Sequence, residues 1–323
     1  MRRTFLFLLG SICVFAQQPD LAVVQKIAGT VGFYTNDGRL ISEVQVGKHP
    51  HEAVLSPDGK FLYVTNNGIL WMTDPGEGGN TISIVDMTSR RNVGSINLGR
   101  YHRPHGIDLD PGTGRLVVTI ENPSGLLLVD PLQRKVLKMY DVKGEAPHMV
   151  LLSPDGKRAY VSNTGTGTLS VVDLETAKVN VIPSAARPQG TAFSPDRKTI
   201  YMTNLDGNSI SIFDAAKSER TGMIQTGKGP CRIAVTPDGR TLVYALQNAE
   251  AVGFADAASR KEVQQVPIGG KLVSLTLSRD KRVAYSSAQE QDKIFVISIA
   301  DRKIIRVITT PKGSGPDPVI ALR

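Results

Sequence analysis

Ser153-Pro154-Asp155-Gly156-Lys157, then Tyr160-Val161-Ser162-Asn163, then Leu169-Ser170-Val171-Val172-Asp173, follow one another in a single short stretch of the chain. Proline at the second turn position fixes φ, and Asp and Gly suit the third and fourth positions of a type I turn. The first mark therefore reads as a tight link between two antiparallel strands. The second is a β-rich run, and the third is a strand closed by an aspartate.

The same three marks recur in the same order on both sides. Turns stand at Ser56-Pro57-Asp58-Gly59-Lys60, Ser194-Pro195-Asp196-Arg197-Lys198 and Thr236-Pro237-Asp238-Gly239-Arg240, with weaker copies at Asp110-Pro111-Gly112 and Ser278-Arg279-Asp280. The β-rich run returns as Tyr63-Val64-Thr65-Asn66 and Tyr201-Met202-Thr203-Asn204, and in degraded form as Val118-Thr119-Ile120-Glu121 and Tyr285-Ser286-Ser287-Ala288. The strand-closing aspartates Asp86, Asp130, Asp173, Asp214 and Asp256 lie 44, 43, 41 and 42 residues apart. Four short strands per unit at that period predict the blades of a β-propeller. Six complete units fill residues 50–312. Before them, 22–27, 31–35 and 41–46 supply three strands; after them, 318–322 supplies one. Three plus one predicts a seventh blade of four antiparallel strands closed by both ends of the described repeat, which hides the edge strands. A solenoid would instead need polar caps at its two ends.

Composition agrees with an all-β domain. Of 323 residues, 41% are hydrophobic and 21% charged, which excludes a disordered tail, and 31 Gly with 19 Pro suit a chain full of turns. At the front, Arg2 and Arg3 precede an apolar run from Phe5 to Phe15 that is too short to cross a bilayer. Residues 1–16 are expected to be a secretory signal peptide, with 17–323 as one propeller domain, exported to the periplasm or the cell exterior. Loss of Arg2 and Arg3 would take the net charge from +8 to +6, and Cys231 would be the sole remaining thiol of two.

Taken together the marks resemble the YVTN family of seven-bladed β-propellers across essentially the whole 17–323 segment. Lactone-hydrolysing and haem-d1 propellers are related at the level of fold. The resemblance implies a fold more than an activity, because one propeller scaffold hosts many functions. No C-x-x-C-H haem attachment site is present in the sequence.

All five histidines fall where one unit leads into the next. His51, His105 and His148 each follow a proline, and the matching places in later units hold Gln189, Cys231 and Lys271. In a propeller that connection runs from an outer strand to the next innermost strand, so these side chains are expected to ring one mouth of the central channel. Three neutral imidazoles with an open position suit a transition metal such as Zn or Cu, with Glu52, Glu145 or Asp317 as oxygen donors. Alternatively, His with Arg103, Arg187, Lys228 and Arg232 would hold an anionic ligand by charge-assisted bonds. A third reading has each imidazole brace its blade by bonding a neighbouring loop carbonyl. An insertion, residues 69–79, carries the sole Trp, Trp71, and is expected to open on the same face as a lid, a partner contact or a packed loop.

The repeated aspartates read as turn caps, and Asn66, Asn163 and Asn204 as loop braces. There is no G-x-S-x-G nucleophile, no phosphate-cradling glycine loop and no basic run suited to nucleic acid. These features predict a monomeric, exported, non-catalytic platform binding a protein, a small molecule or an anionic envelope polymer. The alternative is a lactonase-like or metal-dependent hydrolase acting through His51, His105 and His148.

Overall fold

The computed structural model describes residues 17–322; the expected signal peptide, 1–16, lies outside them. Seven four-stranded antiparallel sheets stand in a ring. Among the described residues the one helical element is a 3-10 turn, Gln289–Gln291, and no helix is long and apolar enough to cross a membrane. Blade one spans 50–97, blade two 102–140, blade three 147–183, blade four 188–225, blade five 230–267 and blade six 276–309. Within each, strands run in order from the channel outward.

Blade seven is assembled as the sequence predicts. Its innermost strand is Pro316–Ala321, which pairs with Leu21–Gln25, followed by Thr30–Tyr34 and Leu40–Gln45. Leu21 faces Ala321, Ala22 faces Ile320 and Val23 faces Val319. The backbone N–H of Leu322 donates to the Asp20 carbonyl at 2.8 Å, so pairing continues to the end of the strand.

Burial explains why the strands are apolar on both faces. Each sheet is sandwiched between neighbours, as in blade one, where Tyr63, Ile82 and Ile84 pack on Leu116, Val118 and Ile120 of blade two. Blade seven packs on both sides: Phe33 and Val31 meet Leu62 and Val64 of blade one, while Leu21 and Val319 meet Tyr285 and Val296 of blade six. Outer strands have only solvent beyond their free edge, so Arg91–Asn97 and Glu219–Gln225 are largely exposed.

The punctuation residues serve the turns. Ser56 Oγ donates to Asp58 at 2.6 Å and accepts from the Phe61 N–H at 2.9 Å. The Ser153, Ser194, Thr236 and Ser278 turns repeat the hydroxyl–carboxylate bond. Asp86, Asp130, Asp173 and Asp214 each accept two backbone N–H bonds just beyond their strands. Asn66 holds Thr81 and Ser83 with its amide nitrogen and the Gly47 N–H with its oxygen. A Cβ at Gly47 would stand 2.3 Å from that amide, so the position has no room for a larger residue.

Candidate functional site

Blades one to four enter the channel in the same way. The residue before the leading proline has left-handed backbone: His49 at φ 44°, Arg103 at 54°, Ala146 at 47° and Arg187 at 58°. The innermost strand then pairs at its proline, slips register and pairs again, as between Pro50 and Ala53, Pro104 and Ile107, or Pro188 and Thr191. A register slip of this kind re-aims a side chain. The residue after the proline sits in the slip.

A hydroxyl of the β-rich run, third in three of the quoted copies and second in Val118-Thr119-Ile120-Glu121, fixes that position from the neighbouring blade. Thr65 Oγ1 donates to the His105 carbonyl at 2.9 Å, Thr119 to His148 at 2.7 Å, Ser162 to Gln189 at 2.8 Å and Ser287 to Asp317 at 2.7 Å. A Ser or Thr in the run was the sequence signal for this staple.

The three expected histidines come together and are buried. Ring centroids lie 3.9 Å apart for His51 and His105, 4.0 Å for His105 and His148, and 6.5 Å for His51 and His148. His105 is therefore the middle one of three rings in contact, its plane tilted by 36° to His51 and 45° to His148. Its Nδ1 lies 3.0 Å from Glu121 Oε1. His51 Nδ1, His105 Nε2 and His148 Nδ1 are buried with no hydrogen-bond partner, which is not the bracing of a loop carbonyl by an imidazole. The ligand atoms within 4.8 Å of one another belong to His51, Glu52 and His105. Glu52 thus takes the place in that group that the sequence reading gave to His148.

Charged side chains cross the channel below the rings. Arg232 of blade five reaches Glu52 of blade one at 2.8 Å. Lys26, on the turn after Leu21–Gln25, lies 3.6 Å from Asp317, and His51 Nδ1 lies 3.4 Å from the same carboxylate. Burial lowers the Lys26 ammonium from its ordinary range, and it holds His51 and His148 well below theirs, with His105 adding to both shifts. Burial lowers His105 too, against the pull of Glu121. Burial pushes the Asp317 carboxyl up to about 6 despite Lys26.

A cavity of about 170 Å³ opens above this cluster. Lys26, His51, His105, His148, Arg187, Gln189 and Arg232 line it from the ring, and Trp71 with Leu70 and Met72 covers it from the insertion. The insertion, called the lid below for its position, therefore forms part of the cavity wall, with Lys26 Nζ 6.0 Å from the Trp71 ring centroid.

Arg103 has a different task from the ligand contact expected of it. Its guanidinium donates to the carbonyls of Met72, Asp74 and Gly76 at 3.3, 2.9 and 2.6 Å and lies 3.5 Å from Glu121. Arg103 is the clamp of the lid and does not line the cavity. Gly78, at φ +85°, has Arg103 Cγ 2.4 Å from where its Cβ would be, so the clamp needs glycine there. Lys228, Glu145 and Lys271 are exposed, and Val273, on the segment leading into blade six, lines the cavity instead of Lys271. Cys231 is buried with Sγ 3.4 Å from the Leu272 carbonyl, and burial pushes its thiol up to about 11, leaving an unreactive sulfur. Sequence reasoning missed Lys26, whose signal was a lone cation ending an apolar strand.

No family model matches the chain. It is 27% identical over 205 residues to an uncharacterised protein, YncE, of Salmonella typhimurium, covering 60% of this chain and 53% of that one; the chain thus spans about half the length of this curated relative. A functionally unknown protein of Desulfotomaculum acetoxidans superposes with a TM-score of 0.78 at 16% identity, covering 93% of this chain and 98% of the other. The dihydro-heme d1 dehydrogenase NirN superposes at 0.69 and 15%, covering 94% and 67%. What these likenesses share with the chain is the seven-bladed propeller.

Proposed function

We propose that the protein is an exported, YVTN-type ring that binds a small anionic ligand in the mouth of its channel and does not transform it. One observation carries this reading. Three basic side chains, Lys26, Arg187 and Arg232, line the cavity, and none of its lining residues is a carboxylate. Glu52 and Asp317, which balance Arg232 and Lys26, stand outside the lining. A guanidinium facing an enclosed space is suited to a carboxylate or another oxyanion, which it meets with paired donors. Seven sheets packed on one another hold these groups in place without flexing, which suits recognition. The apolar lid of Leu70, Trp71 and Met72 suits a ligand whose other end is uncharged.

The test is thermal denaturation of the untagged chain against acetate, pyruvate, citrate and sulfate, each at ionic strength matched with NaCl. A saturable rise in Tm with at least one of them, corresponding to a stabilisation of about 2.7 kcal/mol at a hundredfold excess over Kd, is the expected result. Arg187→Gln and Lys26→Gln should remove it. A rise no larger than that in NaCl, or one unchanged in both variants, would overturn the proposal.

A further inference from the structure

Cations account for an anion, but they do not account for the buried lone pair beneath it. Glu121 lies 3.0 Å from His105 Nδ1. A carboxylate only accepts, so that nitrogen carries the proton and the lone pair falls on Nε2. Nε2 is buried and has no partner. A buried acceptor left without a donor forfeits its hydration for nothing. An oxyanion would leave it so, because it offers no proton. A metal ion would satisfy it.

We propose that His51, Glu52 and His105 form a site for one divalent transition-metal ion of the zinc class at the floor of the cavity. Their ligand atoms already lie within 4.8 Å of one another. Two imidazoles and a carboxylate are a three-ligand set of the kind that leaves a fourth position open. Here that position faces the cavity, since His51 and His105 line it, while Glu52 lines a second space of about 160 Å³ farther along the channel. The outer partners are in place as well. Glu121 fixes the orientation of His105, and Arg232 holds Oε1 of Glu52 at 2.8 Å while leaving the other oxygen. Lys26 and Arg232 are matched by Asp317 and Glu52, so the ion enters a cluster without excess positive charge. His148 packs against His105 at a tilt and stands outside the ligand group.

This inference goes beyond the anion reading and does not depend on it. The untagged full chain, stripped with chelator and dialysed, is titrated with Zn²⁺ by calorimetry and with Co²⁺ by visible absorption. The expected result is one equivalent of Zn²⁺ per chain and Co²⁺ bands of four-coordinate intensity. His105→Ala and Glu52→Gln should abolish stoichiometric uptake, and Glu121→Gln should weaken it roughly 10–100-fold. His148→Ala and the paired loop variant His49→Ala/His102→Ala should keep wild-type stoichiometry. Wild-type protein that takes up no stoichiometric Zn²⁺, or a folded His105→Ala variant with wild-type affinity, would overturn the site. If His105→Ala does not fold, the wild-type Co²⁺ spectrum decides by itself, and a featureless one overturns the site. Stripped protein that still shows the anion-dependent rise in Tm but binds no Zn²⁺ would sink the ion and leave the anion reading standing.

Discussion

Arg103 is the residue at which local chemistry and channel architecture meet. Three carbonyls of the lid converge on one guanidinium, which also meets the Glu121 that orients His105. Position of lid and position of ring are thus set by one short chain of polar contacts. Arg103→Ala should free the lid while leaving the sheets intact. Because Trp71 is the sole Trp, its fluorescence reports that change directly. Emission should shift to the red and acrylamide quenching should rise, with Tm within about 2 °C of wild type, as a change confined to a surface loop costs little. Arg103→Lys should not restore the emission, since one ammonium cannot reproduce a planar fork. Unchanged quenching in Arg103→Ala would show that the lid holds itself. Only half of this was legible in the sequence. Pro-His spacing placed His51, His105 and His148 at one rim because the backbone there is repeated. The partners of Arg103 come from the insertion 69–79, which has no counterpart in other units, and so no repeat could announce them.

Turns and strand ends repeat well enough for their electrostatics to add. Hydroxyl bonds from Ser56, Ser153, Ser194, Thr236 and Ser278, with backbone N–H bonds, hold Asp58, Asp155, Asp196, Asp238 and Asp280 below the ordinary carboxylate range. A carboxyl whose folded pKa is depressed binds fewer protons folded than unfolded. Its stabilisation is therefore complete above the unfolded value of about 4 and lost as pH falls through the lower folded value. A variant with Asp155→Asn, Asp196→Asn and Asp238→Asn keeps an acceptor in each turn but no charge to titrate. Its Tm should run parallel to wild type from pH 7 to 5 and fall less steeply below about pH 4. Parallel curves down to pH 2.5 would mean that these turns do not contribute to acid lability. The turns, and the aspartates that end strands, were legible because their partners are two to five residues away. The staple from Thr65 to the His105 carbonyl was not, although the same bond is made by Thr119, Ser162 and Ser287. It crosses between blades, and a motif shows its own period without showing which neighbour it touches.

For the whole molecule, the question is what closing the ring contributes to both stability and site. The strand Pro316–Ala321 forms the inner edge of blade seven and also brings Asp317 to Lys26 and His51. The blade count could be read from the sequence because three strands at one end and one at the other complement each other. Lys26 could not be placed so, since its partner lies at the far end of the chain and only closure brings them together. A chain ending at Pro311 should lose the packing of Val319 and Ile320, each worth roughly 1.5–3 kcal/mol when buried. At about 2–4 °C per kcal/mol for large domains, Tm should fall by roughly 10 °C. Full-length Asp317→Asn keeps the strand and removes only the carboxylate, which separates closure from charge. Because the missing strand is an add-on to an otherwise complete edge, a peptide of residues 312–323 supplied in trans should pair with Leu21–Gln25. It should raise the Tm of the shortened chain in a concentration-dependent way by mass action. A shortened chain as heat-resistant as the full one, or one indifferent to the peptide, would mean that the ring does not rely on this closure.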